Sequence, residues 1–251
     1  CKKTVIINFF GIEPASIKRA GLIPAVTLED AATKAVAIAK GEDLKEVIFT
    51  LPREEMLSIA NRECMKLAPK QKYIRGLFSG GTLCYESEMT LKGLIGDVYS
   101  NTPLRPDLKL FNPHQSERHT CVDMGSEEFV VGRPHPMIDP TLRKQRILHE
   151  ARDPEIGAIL LDIVLGYGSH PDPTGALAPV IVQAKEEVER NGRYLPVIAS
   201  IIGTELDPQD LAEQEQQLKK AGVIVLPSNA QATRMAALIV TRDKLRENIL
   251  G

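Results

Sequence analysis

Short apolar runs alternate with amphipathic stretches along almost the whole chain. Thr4 to Phe10 is a β-rich run closed by Gly11 and reads as a buried strand. Runs at Glu46 to Leu51, Tyr73 to Phe78, His119 to Met124, Gly157 to Leu165, Leu195 to Ile202 and Gly222 to Leu226 predict further strands. Between them, Leu28 to Ala39, Arg53 to Leu67, Leu83 to Ile95, Pro140 to Arg152, Ala176 to Asn191, Pro208 to Ala221 and Ala230 to Leu250 space apolar residues as helices do. Gly41 closes the first of these as a helix C-cap glycine should. Strands and helices in alternation predict an α/β fold, a parallel sheet covered by helices on both faces. Ligands then belong at the carboxyl ends of the strands.

One weak internal repeat bears on domain organisation. Val5 to Gly11, Ala20-Gly21-Leu22-Ile23 and the helix Ala31 to Ala39 match Val197 to Gly203, Ala221-Gly222-Val223-Ile224 and the helix from Ala230. The second copy carries a longer insert, Thr204 to Lys220. Residues 1–40 are therefore expected to be the last strand-loop-helix unit of a preceding domain, 41–71 a connector, and 72–251 a second domain of the same type. The chain opens at Cys1 and moves almost at once into a strand, which suggests part of a longer polypeptide.

Composition narrows the functional classes. With 31 basic and 33 acidic side chains the net charge is −2, without long runs of one sign. Neither a nucleic-acid nor a membrane surface is expected, and 4% aromatics without Trp offers no base-stacking platform. Cys1, Cys64, Cys84 and Cys121 lie far apart, so neither a metal site nor a disulfide framework is expected. Unpaired thiols, with no signal peptide or long apolar run, point to the cytoplasm. A small anionic substrate is the expected partner.

The densest candidate chemistry lies at Ser79-Gly80-Gly81-Thr82, between the strand Tyr73 to Phe78 and a helix. A strand that turns straight into a helix leaves unpaired N–H groups at a positive terminus, where phosphate or carboxylate can sit. The glycines let a ligand approach the backbone, while the Ser79 and Thr82 hydroxyls cap the helix or donate to the anion. A capped helix start without a ligand is the alternative. Asp162 interrupts an apolar strand and so must be paired, protonated or facing a cavity. His170 and Asp172 follow in a Pro- and Gly-rich loop, as a proton-transfer pair or as a loop-stabilising hydrogen bond. Arg133 and His135 flank Pro134, and Arg suits a carboxylate or phosphate, with a surface Arg paired with Glu127 or Glu128 as the alternative. Ser228 and Asn229 begin the last helix; N-capping explains them, with a substrate contact as the alternative. His114, His119 and His149 read as solvent or cap residues, and Cys84 as a small buried helix residue.

Three motifs in order, Gly76-Leu77-Phe78-Ser79-Gly80-Gly81-Thr82-Leu83-Cys84, Gly132-Arg133-Pro134-His135-Pro136-Met137-Ile138-Asp139-Pro140 and Asp162 to Pro173, resemble the FdrA family, relatives of the succinyl-CoA synthetase alpha subunit. The resemblance runs through almost the whole chain. It implies a three-layer, flavodoxin-like domain, the carboxyl-terminal half of a protein about twice this length. In the synthetase a Ser-Gly-Thr-Leu helix start like Ser79 to Leu83 helps hold the phosphate of a phosphohistidine. Here the loop that would carry that histidine is Gly203-Thr204-Glu205-Leu206-Asp207-Pro208-Gln209-Asp210, and it has none. Nor does a Gly-Glu-Ile-Gly-Gly follow the strand Gly157 to Leu165.

The resemblance further implies a subunit of a carbamoyltransferase, interconverting carbamoyl phosphate plus oxamate with oxalurate plus phosphate in allantoin and purine catabolism, together with other subunits. Phosphate would lie at Ser79 to Thr82, the acceptor carboxylate at Arg133, and proton transfer with His170 or Asp172. The alternatives are an acyl-CoA synthetase that uses CoA or nucleotide, and a non-catalytic subunit that senses an anion.

Overall fold

The computed structural model describes residues 3–45 and 47–242. In chain order the elements are β1 (Ile6–Ile7), α1 (Pro14–Arg19), β2 (Ile23–Pro24), α2 (Leu28–Lys40), α3 (Arg53–Cys64), β3 (Tyr73–Phe78), α4 (Gly81–Ile95), β4 (Tyr99–Ser100), β5 (Thr120–Asp123), α5 (Glu127–Val130), α6 (Thr141–Ala151), β6 (Ile156–Val164), α7 (Pro173–Arg190), β7 (Val197–Ile202), α8 (Leu211–Lys220), β8 (Ile224–Leu226) and α9 (Asn229–Thr241). A short 3-10 turn, Pro106–Leu108, precedes β5.

Six strands form one sheet in the order β4-β5-β3-β6-β7-β8, and every neighbouring pair is parallel. β6 is buried along almost its whole length, as expected of a strand with helices on both faces. Its alternate side chains divide the core. Ile159, Leu161 and Ile163 pack with α6, α7 and α8 through Ile147, Leu177, Ile181 and Leu218. Ala158 and Leu160 pack with α3, α4 and α9 through Met56, Leu91, Met235 and Ile239. The result is the expected three-layer α/β arrangement.

β3 lies at the centre, and the chain moves from it toward β4 and β5 on one side before β6 leads to β7 and β8 on the other. The carboxyl ends of β3 and β6 therefore flank the switch point where α/β sheets open a ligand crevice. At the opposite end of the sheet, Arg75 of β3 is buried and pairs with Glu150 (2.9 Å) and Asp153 (2.5 Å). Arg146 closes on the same Glu150 at 2.5 Å.

The amino-terminal elements form a separate two-stranded parallel sheet, β1 against β2, joined through α1 and followed by α2. This is the same order as β7-α8-β8-α9, which also pairs its strands in parallel. Thr27 caps α2 by accepting from Asp30 N–H at 3.0 Å, and Gly41 closes it at φ 71°, the left-handed conformation that favours glycine.

Three expectations need correction. The strand expected over Thr4 to Phe10 shrinks to two half-buried residues, and Phe9 is 58% exposed, because only β2 lies beside it. No strand forms over 47–51; Glu46 lies outside the described residues. Ile48, Phe49 and Leu51 plug the core under α3 and α9, and the Thr50 N–H goes to Gln231 Oε1 (3.1 Å) instead of a sheet ladder. The last helix ends at Thr241, where Arg242 turns left-handed at φ 49°; residues 243–250 of the expected helix lie outside the described residues. No described helix is long and apolar enough to cross a membrane.

Candidate functional site

Strand β3 delivers Ser79 to the crevice beside Asp162, which is buried near the end of β6. The Ser79 backbone N–H donates to Asp162 Oδ1 at 2.9 Å, and its hydroxyl donates to Oδ2. Asp162 Oδ1 also accepts from Arg143 Nη2 at 2.8 Å. The same nitrogen donates to the Leu77 carbonyl (2.9 Å) and the Asp162 carbonyl (2.8 Å), so Arg143 ties β3 to β6. Burial lowers the pKa of the Arg143 guanidinium and the Asp162 carboxylate raises it. A carboxylate is tolerated in this strand because both of its oxygens are paired, although Arg143 Nε has no partner among the described residues.

This arrangement changes the role of Ser79. Its hydroxyl neither caps α4 nor is free for an anion; it holds Asp162. The N-cap of α4 is Gly80, extended at φ −162° and ψ 159°, with no side-chain cap. Thr82 is exposed. Among the described residues, no acceptor takes the N–H groups of Gly80, Gly81, Thr82 or Leu83. The first turn of a 15-residue helix therefore opens on the crevice with its backbone donors free. A Cβ on Gly80 would meet nothing within 4 Å, whereas one on Gly81 would come 3.0 Å from Asp123 Oδ2.

Asp123, the last residue of β5, borders the same opening. Asn101 holds its backbone, accepting from the Asp123 N–H (2.9 Å) and donating to its carbonyl (3.0 Å). Its Oδ1 accepts from Gly125 N–H at 2.8 Å. Burial raises the Asp123 carboxyl above its ordinary value; the Gly125 N–H and His135 oppose the shift and Asp162 adds to it. His135 Nδ1 accepts the Met137 N–H at 3.3 Å, which leaves the proton of the neutral ring on Nε2. A Cβ on Gly125 would lie 2.5 Å from that Nε2, 2.6 Å from the Ser79 carbonyl and 3.2 Å from Asp123 Oδ1. Only glycine lets these three groups meet around one point.

The remaining candidates sit at varied distances from the chemistry. Asp172 is the N-cap of α7, accepting from Gly175 N–H and Gln214 Nε2, each at 2.9 Å. Its own N–H donates to His170 Nδ1 at 3.0 Å, so the two residues are linked through the backbone of one and not carboxylate to imidazole. Gln209 clamps this loop, accepting from Gly166 N–H (3.0 Å) and donating to the Gly166 carbonyl (2.7 Å). Arg133 is exposed on the loop before His135. Ser228 caps α9 by accepting from Gln231 N–H at 3.1 Å. Asn229 is buried between α9 and α4, donating to the Leu83 carbonyl (3.0 Å) and Glu86 Oε2 (2.9 Å).

Below the opening, Glu88 of α4 is fully buried and its carboxyl is pushed up to about 7 by burial, against the pull of Ser100, Cys84 and the Leu104 N–H. Cys84 is buried as expected, and burial raises its thiol well above the ordinary range. His119 is not a solvent residue. Its Nδ1 accepts the Ile74 N–H at 3.2 Å, its ring stands edge-on to Tyr73, and burial beside Arg75 lowers its pKa to about 4.

Sequence reasoning missed Arg143 as the partner of Asp162. It sits in Thr141-Leu142-Arg143-Lys144-Gln145-Arg146, part of the stretch Pro140 to Arg152 that reads only as an amphipathic helix. The available signal was Asp162 itself, since a carboxylate in a buried strand demands a cation.

Two comparisons bear on this site. The pattern of the family described as CoA-ligase matches residues 77–239, which include β3's carboxyl end, α4 and most of α9. The uncharacterized protein YahF of Escherichia coli (strain K12) is 40% identical over 244 residues, covering 97% of this chain and 47% of that protein. The chain thus spans about half the length of the curated relative it matches.

Proposed function

The chain belongs to the CoA-ligase family, and on that premise we propose that it holds the phosphoryl group of an acyl or carbamoyl phosphate at the amino end of α4. The observation that carries this reading is the run of four free N–H groups, Gly80 to Leu83, beside an Asp162 already fixed by Ser79 and Arg143. Backbone donors at a positive helix end stabilise a phosphate without any side-chain charge. Acyl and carbamoyl phosphates are both mixed anhydrides of phosphoric acid, so one cradle serves either.

Acid activation of the acyl-CoA ligase kind is the class that the family favours. FdrA-type carbamoyl transfer to oxamate is the second reading, and the loop after β7 favours it. Gly203 to Asp210 has no histidine to carry a phosphoryl group, and Asp207 turns back to accept the Thr204 N–H at 2.6 Å. Direct transfer from a bound carbamoyl phosphate needs no such carrier. In that reading Arg133 receives the acceptor's carboxylate and His135 or His170 handles the proton.

We read residues 1–40 as the closing unit of a preceding domain, on the likeness of β1-α1-β2-α2 to β7-α8-β8-α9. Residues 41–71 then connect it to a ligase-like domain over 72–251. A further subunit over the site is supported by Tyr167 and Leu206, 91% and 90% exposed on loops at the same sheet edge.

Titration calorimetry with carbamoyl phosphate, acetyl phosphate and CoA, on the chain and on Gly80→Val, tests the proposal. Binding of a phosphate ligand that the variant loses supports the cradle; binding of CoA alone, or of nothing, overturns it.

A further inference from the structure

The α4 cradle contains a carboxylate that a plain anion site would exclude. Asp123 is 8% exposed, and of its two oxygens Oδ1 is occupied by the Gly125 N–H. Oδ2 accepts no hydrogen bond from the described residues and points at Gly81, the first residue of α4, within 3.0 Å of where a side chain there would begin. None of the free N–H groups of Gly80 to Leu83 turns to it, so Asp123 is not the cap of α4. Its position is rigid, since Asn101 holds the backbone on both sides and also donates to Ser126 Oγ at 2.8 Å.

An ionised carboxylate is an acceptor only. An anion resting on the α4 amides brings its oxygens toward Asp123 Oδ2, and two acceptors facing each other without a proton between them repel and leave lone pairs unpaired. The conflict disappears when the ligand carries a hydrogen-bond donor of its own. We propose that Asp123 makes this a selective site for oxyanions that keep a proton, of which monohydrogen phosphate is the simplest, and against equally charged anions that have none. The inference rests on the reading of α4 as a phosphate cradle and assigns to it a preference for inorganic phosphate, the form in which the phosphoryl group enters or leaves, over the mixed anhydrides, which are dianions without an acidic proton at pH 8. His135 lies close enough to the same carboxylate to oppose the rise that burial imposes on it.

The test compares inorganic phosphate with sulfate and monofluorophosphate by calorimetry at pH 8. All three are then dianions of similar shape, and only phosphate retains a proton. The wild-type chain is expected to bind phosphate at least about tenfold more tightly than either of the others, the scale of one well-formed hydrogen bond to a charged group against a repulsive contact. Asp123→Asn, which keeps the Oδ1 acceptor and adds a donor, is expected to bring the three within about twofold. Equal binding of phosphate and sulfate by the wild type, or an unchanged ratio in the variant, overturns the role of Asp123 while leaving the cradle in place. Absence of binding by all three overturns the cradle itself and this inference with it. The wild-type ratio is decisive even if the variant does not fold.

Discussion

Ser79 and Asp162 are joined twice, backbone N–H to Oδ1 at 2.9 Å and hydroxyl to Oδ2, so the serine of the Ser-Gly-Gly-Thr turn is a fixed post for the carboxylate. The part of the turn whose donors stay open is then its backbone, from Gly80 onward.

Because Arg143 and Asp162 are both buried and pair at 2.8 Å, Asp162→Asn is expected to leave an uncompensated guanidinium. The loss of stability should be about 3 to 5 kcal/mol, the range for breaking one partner of a buried pair. Urea denaturation of D162N, with Arg143→Met in the same background recovering part of the loss, checks it. A D162N protein of unchanged stability contradicts a structural role for the pair.

Gly80 and Gly81 should respond differently to valine. At Gly80 the backbone is extended and a Cβ meets nothing, so the fold is expected to survive with a melting temperature within a few degrees. At Gly81 the side chain would press on Asp123 Oδ2, 3.0 Å from the Cβ, and both stability and anion binding should fall. Thermal melts of the two variants separate these effects.

Asp172 caps α7 and holds Gln214. Asp172→Ala should therefore cost about 1 to 2 kcal/mol of stability while leaving affinity for phosphate unchanged. A variant of native stability that loses anion binding would return Asp172 to the site.

The buried Glu88 and the half-buried His119 make opposite contributions to pH dependence. Glu88 has its folded pKa raised to about 7, so the folded state holds the extra proton and stability falls as pH rises through that value from the ordinary carboxyl range. His119 has its folded pKa lowered to about 4, so the unfolded state binds the proton first and stability rises with pH up to the ordinary imidazole range near 6.5. Between about pH 4.5 and 6.5 the two largely cancel. Glu88→Gln is expected to unmask the His119 slope, a gain of roughly 2 kcal/mol across that interval in urea melts. A flat profile in the variant would contradict the lowered pKa of His119.

Strand β3 was legible residue for residue, because Tyr73 to Phe78 is apolar apart from Arg75 and ends at two glycines. The order of strands and helices from residue 73 onward follows from the same alternation, and with it the edge that carries Ser79, Asp162 and His170. β4 escaped notice because a two-residue strand has no periodicity to read. The run 47–51 misled for a different reason: apolar side chains plug a core equally well without a ladder partner, and only the Gln231 amide reveals where the backbone goes. The roles of Ser79 and Arg143 depend on a contact 83 residues apart and another 19 apart, which no local pattern encodes.

The most direct test of the account is a phosphate titration of the 15N-labelled chain, following the amide resonances of Gly80, Gly81, Thr82 and Leu83. The structure leads to saturable shifts at these four positions, shared with Asp123 and lost in Gly80→Val. Phosphate that leaves the four amides unmoved at millimolar concentration would contradict an anion site at the start of α4.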